Sequence, residues 1–277
     1  AARLEIIDLD SPGVRLKKSN QVRVGQRIWA KRPVPDADAE IPQPKILYED
    51  EHYLVLDKPA GVAVHPSARH FRATITHWLA LHPKYETTKI AHRLDVETSG
   101  VLLCTRTPTA HREAAQLFAS HAVQKTYLAV VRGRPSLEEW SIDLPLALDS
   151  TSDIRVKMGP GNLAATTHFF CRQRLENTTL VEARPVSGRQ HQIRVHLALC
   201  GHPIIGDKLY GPDDRLFIKS KERPLTPEEI ALVGHERQAL HAAQLYVPFA
   251  AEHRSFEAPL PVDFTVLIGQ SNVGAAE

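Results

Sequence analysis

HRLDVETSGVLLCTRTPTA, residues 92–110, decides the architecture of this chain. Its first nine residues are polar and carry Asp, Thr, Ser and Gly, the composition of a tight turn. VLLCT (101–105) is apolar throughout, as in a strand covered on both faces. Thr107 then offers its hydroxyl to a helix whose first residue is Pro108, with Ala110, Ala114, Leu117 and Phe118 as its buried stripe. A covered strand needs strand neighbours, and they lie on both sides. ILYEDEHYLVLDKP (46–59) reads as two short strands around an acidic turn. TYLAVV (126–131), THFFC (167–171), TLVEARPV (179–186) and LHAAQLYV (240–247) read as further strands. Thr74–Leu81 reads as a short helix ended by Pro83, and HQIRVHLALC (191–200) as a helix stopped by Gly201 and Pro203. Clustered strands with interspersed helices predict an α+β fold with a mainly antiparallel sheet.

Ahead of this region the character changes. Residues 1–33 hold eight Lys/Arg against Glu5, Asp8 and Asp10, and residues 34–45 are a linker whose prolines and small polar residues cannot pack. One compact domain is placed at 46–277. A net charge of +2 leaves room for a local basic face without requiring one. Cys104, Cys171 and Cys200 are far apart and set in apolar runs, so they read as buried free thiols, in keeping with a reducing cytoplasm. No apolar run approaches the ~20 residues of a membrane span.

Three constellations carry chemistry. Turn chemistry alone makes 92–100 a loop in which Asp95 or Thr98 caps backbone amides, but Arg93 beside a carboxylate is more than a turn needs. In SGRQHQIRVHLALCGHPIIGD (187–207), Ile193, Leu197 and Cys200 form one apolar helix face and Val195 and Leu199 nearly the opposite one. Such a helix is largely buried. Arg194 therefore needs an anionic partner, structural or functional. Gly206-Asp207 closes the segment as a turn. In KTYLAVVRG (125–133), Tyr127 alternates with Ala129 on one strand face, a position that is core in most proteins. Metal ligation is set aside: the His pairs 191/196, 65/70 and 77/82 are five apart and point to different faces. No Gly-x-Gly-x-x-Gly or Walker-type loop occurs, so nucleotide cofactors have no evident cradle.

HRLD followed by TSG, then KTYLA, then GRQHQIR and GHPIIGD, in this order, resemble the RluA-type pseudouridine synthases that act on ribosomal or transfer RNA. YEDEHYLVLDKPAGVAVHP (48–66) and ALHA (239–242) resemble them too, so the likeness covers about residues 46–262. It implies a central mixed sheet with flanking helices and an RNA cleft between two halves. Residues 14–33 are similar to the end of a small S4-type RNA-binding module; a disordered basic arm is the alternative. By motif position, Asp95, Tyr127 and Arg194 are the implied catalytic residues: the aspartate, the tyrosine that stacks on the target base and moves a proton, and the arginine paired with Asp95. Arg93 is implied to enter the RNA stack as the uridine leaves it, and Leu240 to touch the flipped uracil. His92, Thr98, Lys125, Arg189, His191 and Gln192 complete the expected substrate-binding set.

The implied reaction turns uridine into pseudouridine without oxidation or a leaving group, and so without metal, nucleotide or other cofactor. The target base must be flipped from its stack at a cost of a few kcal/mol. Expected partners are ribosomal or transfer RNA, with no membrane, and the protein is expected to act as a cytoplasmic monomer. Two rivals remain at this point. A glycosidase would need a second catalytic acid, which is not evident. A non-enzymatic RNA-binding protein would be marked by loss of Asp95 or Tyr127, and both are present.

Overall fold

The computed structural model of the chain describes residues 5–11, 15–16, 20–31, 40, 43–67 and 70–269. The described part of the basic N-terminal segment pairs rather than trailing as a free arm. β1 (Glu5–Asp8), β2 (Arg15–Leu16) and β3 (Ile28–Lys31) make an antiparallel sheet in the order β2-β1-β3. Most of the expected linker 34–45 lies outside the described residues, and its last residue, Lys45, already opens β4 (Lys45–Glu49).

The apolar run VLLCT lies inside the main sheet. β7 (Ser99–Thr105) is buried at every position; β5 (Tyr53–Lys58) pairs along one edge and the other edge is shared. Short β6 (Lys89–Ile90) takes its outer half, antiparallel at Thr105 and Cys104. The inner half runs parallel to β14 (Leu240–Pro248), with Ser99 opposite His241 and Gly100 opposite Ala242. Gly100 is needed there. Its φ is +111°, and a Cβ would lie 2.1 Å from the Ala242 carbonyl oxygen. This is the one parallel pairing between named strands of the main sheet among the described residues. The remaining ladder is antiparallel, through β8 (Gln124–Arg132), β9 (Glu139–Asp143), β12 (Thr166–Arg174) and β13 (Thr178–Pro185), in the order β4-β5-β7-β14-β8-β13-β12-β9. β10 (Leu146–Leu148) and β11 (Met158–Pro160) form a separate hairpin, and β15 (His253–Glu257) pairs with β14. The fold is α+β with a mixed, mainly antiparallel sheet.

Helices cover the sheet in two groups. α1 (Ile75–Leu81), capped by Thr74, packs Ile75, Trp78 and Leu79 on Leu54, Leu56, Leu102 and Cys104. α2 (Pro108–Ala119), capped by Thr107, buries Ala110 and Ala114 against Val55, Val101 and Leu103, with Leu117 and Phe118 half-buried. α3 (Gln192–Leu199) covers the far half, where Ile193 and Leu197 meet Phe169, Val181 and Val130. Val195 packs on Leu146, Met158 and Ala165 under the hairpin. The two-sided burial expected for α3 therefore holds in its body but ends early. Leu199 and Cys200 are exposed, since the chain has by then run past the sheet. Of the three free thiols only Cys104 is buried. α4 (Arg215–Glu222), α5 (Pro227–Val233) and α6 (Val262–Leu267) complete the chain. Among the described residues no helix is long and apolar enough to cross a membrane.

Candidate active site

Tyr127 belongs to the seam between two of these cores, packing against the clusters of both halves. On the sheet its cross-strand neighbours are Ala183 of β13 and Ala242 of β14, small residues on either side. The loop 91–98 passes above this seam on its way into β7. Nearly every residue of its second half is tied down. Lys58 is fully buried and gives its Nζ protons to the carbonyls of Pro59 (2.8 Å), Val62 (2.9 Å) and Val96 (3.1 Å). Burial lowers its pKa to about 7, against the pull of Asp95. Glu97 accepts from Lys208 (2.8 Å) and from the Gln238 backbone (3.0 Å), and Thr98 accepts from the Gln238 amide (2.7 Å). A loop fixed at Val96, Glu97 and Thr98 holds the Asp95 carboxylate in one place.

That carboxylate meets Arg194. Nη1 of Arg194 lies 2.8 Å from Asp95 Oδ2, while Nε and Nη2 engage both oxygens of Asp207 at 2.7 and 3.0 Å. Asp207 is itself sealed, with no side-chain exposure, and accepts from the amides of Leu209 and Tyr210. The guanidinium also sits over the Tyr210 ring, 5.0 Å from its centroid. The buried cation predicted at 194 thus has two acids. Asp207, read from the sequence as a turn residue, is the one that fixes its geometry bidentately. Burial alone would raise the Asp95 pKa, but the charge and hydrogen bond of Arg194 outweigh it and hold the carboxyl below its ordinary value. Burial, with help from Asp95, pushes the Tyr127 phenol above its ordinary range, so it stays protonated.

A cavity of about 100 Å³ opens above these groups. Its walls bring together ten of the eleven residues nominated from sequence: Arg93, Asp95, Thr98, Lys125, Tyr127, Arg189, His191, Gln192, Arg194 and Leu240. They do not all offer a free polar group. Gln192 braces the loop before α3, accepting from the Ser187 hydroxyl and the Arg189 amide and donating to Thr166 and Thr167. Thr98 is likewise occupied by Gln238. Lys125, lowered by burial to about 8, donates to the Ser187 carbonyl (2.9 Å). Arg189 Nε holds the Ala164 carbonyl (3.1 Å). His92 is not in the cavity. Its Nε2 accepts from the Leu103 amide (3.0 Å) and its ring lies against Phe118, so it fastens the loop to β7 and α2. Arg93 is exposed and lines both the small cavity and a larger groove of about 550 Å³, which runs past His65 and His70 to Phe217 and Lys221 of α4. Among the described residues no group of three or more His, Cys, Asp or Glu is arranged to hold a metal ion.

Known proteins resemble this chain in sequence and fold. A family profile described as RNA pseudouridylate synthase matches residues 52–199. Ribosomal large subunit pseudouridine synthase D of Zymomonas mobilis is 35% identical over 85% of this chain and 75% of its own length. Ribosomal large subunit pseudouridine synthase C of Vibrio cholerae is 37% identical over 79% of this chain and 65% of its own. Among solved structures, human RNA pseudouridylate synthase domain containing 4 superposes with a TM-score of 0.64 at 26% identity, covering 81% of this chain and 92% of that one. The chain belongs to the RNA pseudouridine synthase family, and the RluA-type resemblance of its motifs stands. It is an isomerase acting on uridine in RNA.

Proposed function

We propose that this enzyme isomerises uridine in ribosomal RNA, with Asp95 as the catalytic carboxylate and the target base flipped into the small cavity. The observation that carries the reading is the Asp95–Arg194–Asp207 arrangement, which presents an ionised carboxylate beside Tyr127 at a cavity floor. Ribosomal RNA is favoured over transfer RNA because the relatives from Zymomonas mobilis and Vibrio cholerae bear ribosomal large subunit names.

The reaction breaks the N1–C1′ bond, turns the uracil and forms a C5–C1′ bond; C5 loses a proton and N1 gains one. Asp95 serves as nucleophile or as counter-charge to C1′. Arg194 keeps it ionised in a water-poor site. Tyr127 supplies a π face to the uracil and a hydroxyl that relays the proton, its oxygen accepting from C5 as its own proton passes on to N1. Leu240 gives the base an apolar wall. Arg93 takes the place of the departed uridine in the stack. No electron or group is exchanged with an outside partner, so these side chains suffice. The basic segment 1–33 acts as an accessory RNA-contacting unit joined by the linker 34–45. The protein works as a monomer in the cytoplasm.

The test is Asp95→Asn with ribosomal RNA carrying uridine tritiated at C5. The amide keeps the shape without the charge. Tritium release should vanish while RNA binding persists, and substantial release by the variant would remove Asp95 from its role.

A further inference from the structure

We propose that His191 is a further catalytic residue: as a neutral imidazole it donates its Nε2–H to the uracil O2 of the flipped nucleotide, and Tyr210 is the positioning residue that fixes this tautomer. The proposal rests on the assignment of Asp95 as the catalytic carboxylate.

Three observations meet at His191. The first is its backbone, at φ 54° and ψ 16°, in the left-handed region that L side chains seldom adopt. This residue is the N-cap of α3, yet its side chain makes no capping bond. The strain therefore has no return in the helix itself; it aims the ring elsewhere. The second is the partner of Nδ1. The Tyr210 hydroxyl lies 2.9 Å away and accepts from the Met158 amide at 2.8 Å. A hydroxyl already accepting from a backbone N–H has its own proton to place, and Nδ1 lies in reach. Nδ1 is then the acceptor, and the imidazole proton is on Nε2. The third is where Nε2 points. It is 3.9 Å from Asp95 Oδ2, too far to hydrogen-bond, and it borders the cavity shared by Asp95, Tyr127 and Arg194. The site thus displays one N–H donor beside the catalytic carboxylate without spending it on that carboxylate.

Uracil O2 is the acceptor that matches. It adjoins N1, and electron density moves onto N1 and O2 as the N1–C1′ bond breaks. A fixed donor there stabilises charge as it develops. Neutrality matters equally, because an imidazolium would pair with Asp95 and quench it. Burial, reinforced by Arg194 and Arg93 and opposed by Asp95 and Asp207, lowers the His191 pKa to about 4, so the ring is neutral through the working range.

The experiment combines a protein change with a substrate change. His191→Asn tolerates the left-handed backbone but withdraws the ring. The substrate is an RNA whose target is uridine or 2-thiouridine, whose sulfur is a poor acceptor. Nucleosides are quantified after digestion. The wild type should lose roughly ten- to a thousandfold in kcat on the thio substrate. His191→Asn should lose a similar factor on uridine, with KM little changed, and lose little more on 2-thiouridine. Additive losses, or a wild type indifferent to sulfur, would overturn the proposal. Tyr210→Phe supplies a second reading. With Nδ1 released, the His191 pKa rises, and kcat should acquire an acid limb between pH 4 and 6.5 where the wild type is flat. An unchanged profile in a folded Tyr210→Phe protein would remove Tyr210 from its role. An inactive Asp95→Asn together with an additive thio cycle would refute this proposal alone. An active Asp95→Asn would refute the reading beneath it.

Discussion

Replacing Arg194 by Met should reverse the sign of what Asp95 does for stability. In the wild type, one guanidinium, 7% exposed, is shared between Asp95, 22% exposed, and Asp207, with no exposure at all. Arg194→Met leaves the two acids without their cation. Breaking a buried pair from one side costs ~3–5 kcal/mol, and Asp207, held by two of the three contacts, accounts for the larger part. Loss of the cation also lifts the Asp95 pKa by ~1–3 units, at ~1.4 kcal/mol per unit. Asp95→Asn should therefore destabilise the wild type but be neutral or stabilising, by ~1–3 kcal/mol, in the Arg194→Met background. The pH dependence follows the same sign. In the wild type the Asp95 pKa is lowered, so its contribution is present above the unfolded value of about 3.8 and is lost as pH falls through the folded value. In Arg194→Met the folded pKa lies above the unfolded one, so the folded state holds more protons and stability declines as pH rises between the two. Urea unfolding of the four proteins of the cycle, from pH 3 to 8, measures both effects. Equal Asp95→Asn changes in the two backgrounds would show that Arg194 answers to Asp207 alone.

Much of this was open to reading in the sequence, and the exceptions share a cause. Local signals worked: Thr74 and Thr107 cap α1 and α2, and Tyr127 packs against the core as its strand position implies. What failed was information carried by distant pairing. The parallel contact of β7 with β14 joins residues 142 positions apart through the Ser99–His241 bond, and nothing in either stretch announces it. Asp207 looked like a turn acid because Gly206 precedes it. That Arg194 needed an anion was clear, but a second buried acid thirteen residues on was not. The resemblance puts His92 in the substrate-binding set, whereas its ring is used up against Phe118 and the Leu103 amide. One omission had a local signal. Thr226 and Glu229 form a capping box that opens α5, and Thr-Pro-Glu-Glu spells it in the sequence.

Two further outcomes are expected. Burial lowers the pKa of His92, His191 and His241 from 6.5 to about 4, so all three enter the fold neutral. Their depressed values make stability present above pH 6.5 and lost as pH falls toward 4, and unfolding near pH 5 should take up close to three protons from these rings. The slope of urea stability against pH measures that number, and a flat profile from 6.5 to 4.5 would contradict it. The second outcome separates flipping from chemistry. Arg93 follows His92 in the loop but is exposed, and it borders both the base-sized cavity and the larger groove. A cation on that divide is placed to stack where the uridine has left while the base lies beside Asp95. Stacking on a flat side chain is worth roughly 1–3 kcal/mol, so Arg93→Ala should slow turnover roughly ten- to a hundredfold on a structured target. On an RNA whose target uridine is already unstacked, little flipping energy remains to be supplied, and the loss should shrink. The ratio of the two losses under single-turnover conditions is the decisive quantity. A phosphate contact would weaken both substrates alike, so equal losses would assign Arg93 to the RNA backbone instead of the vacated stack.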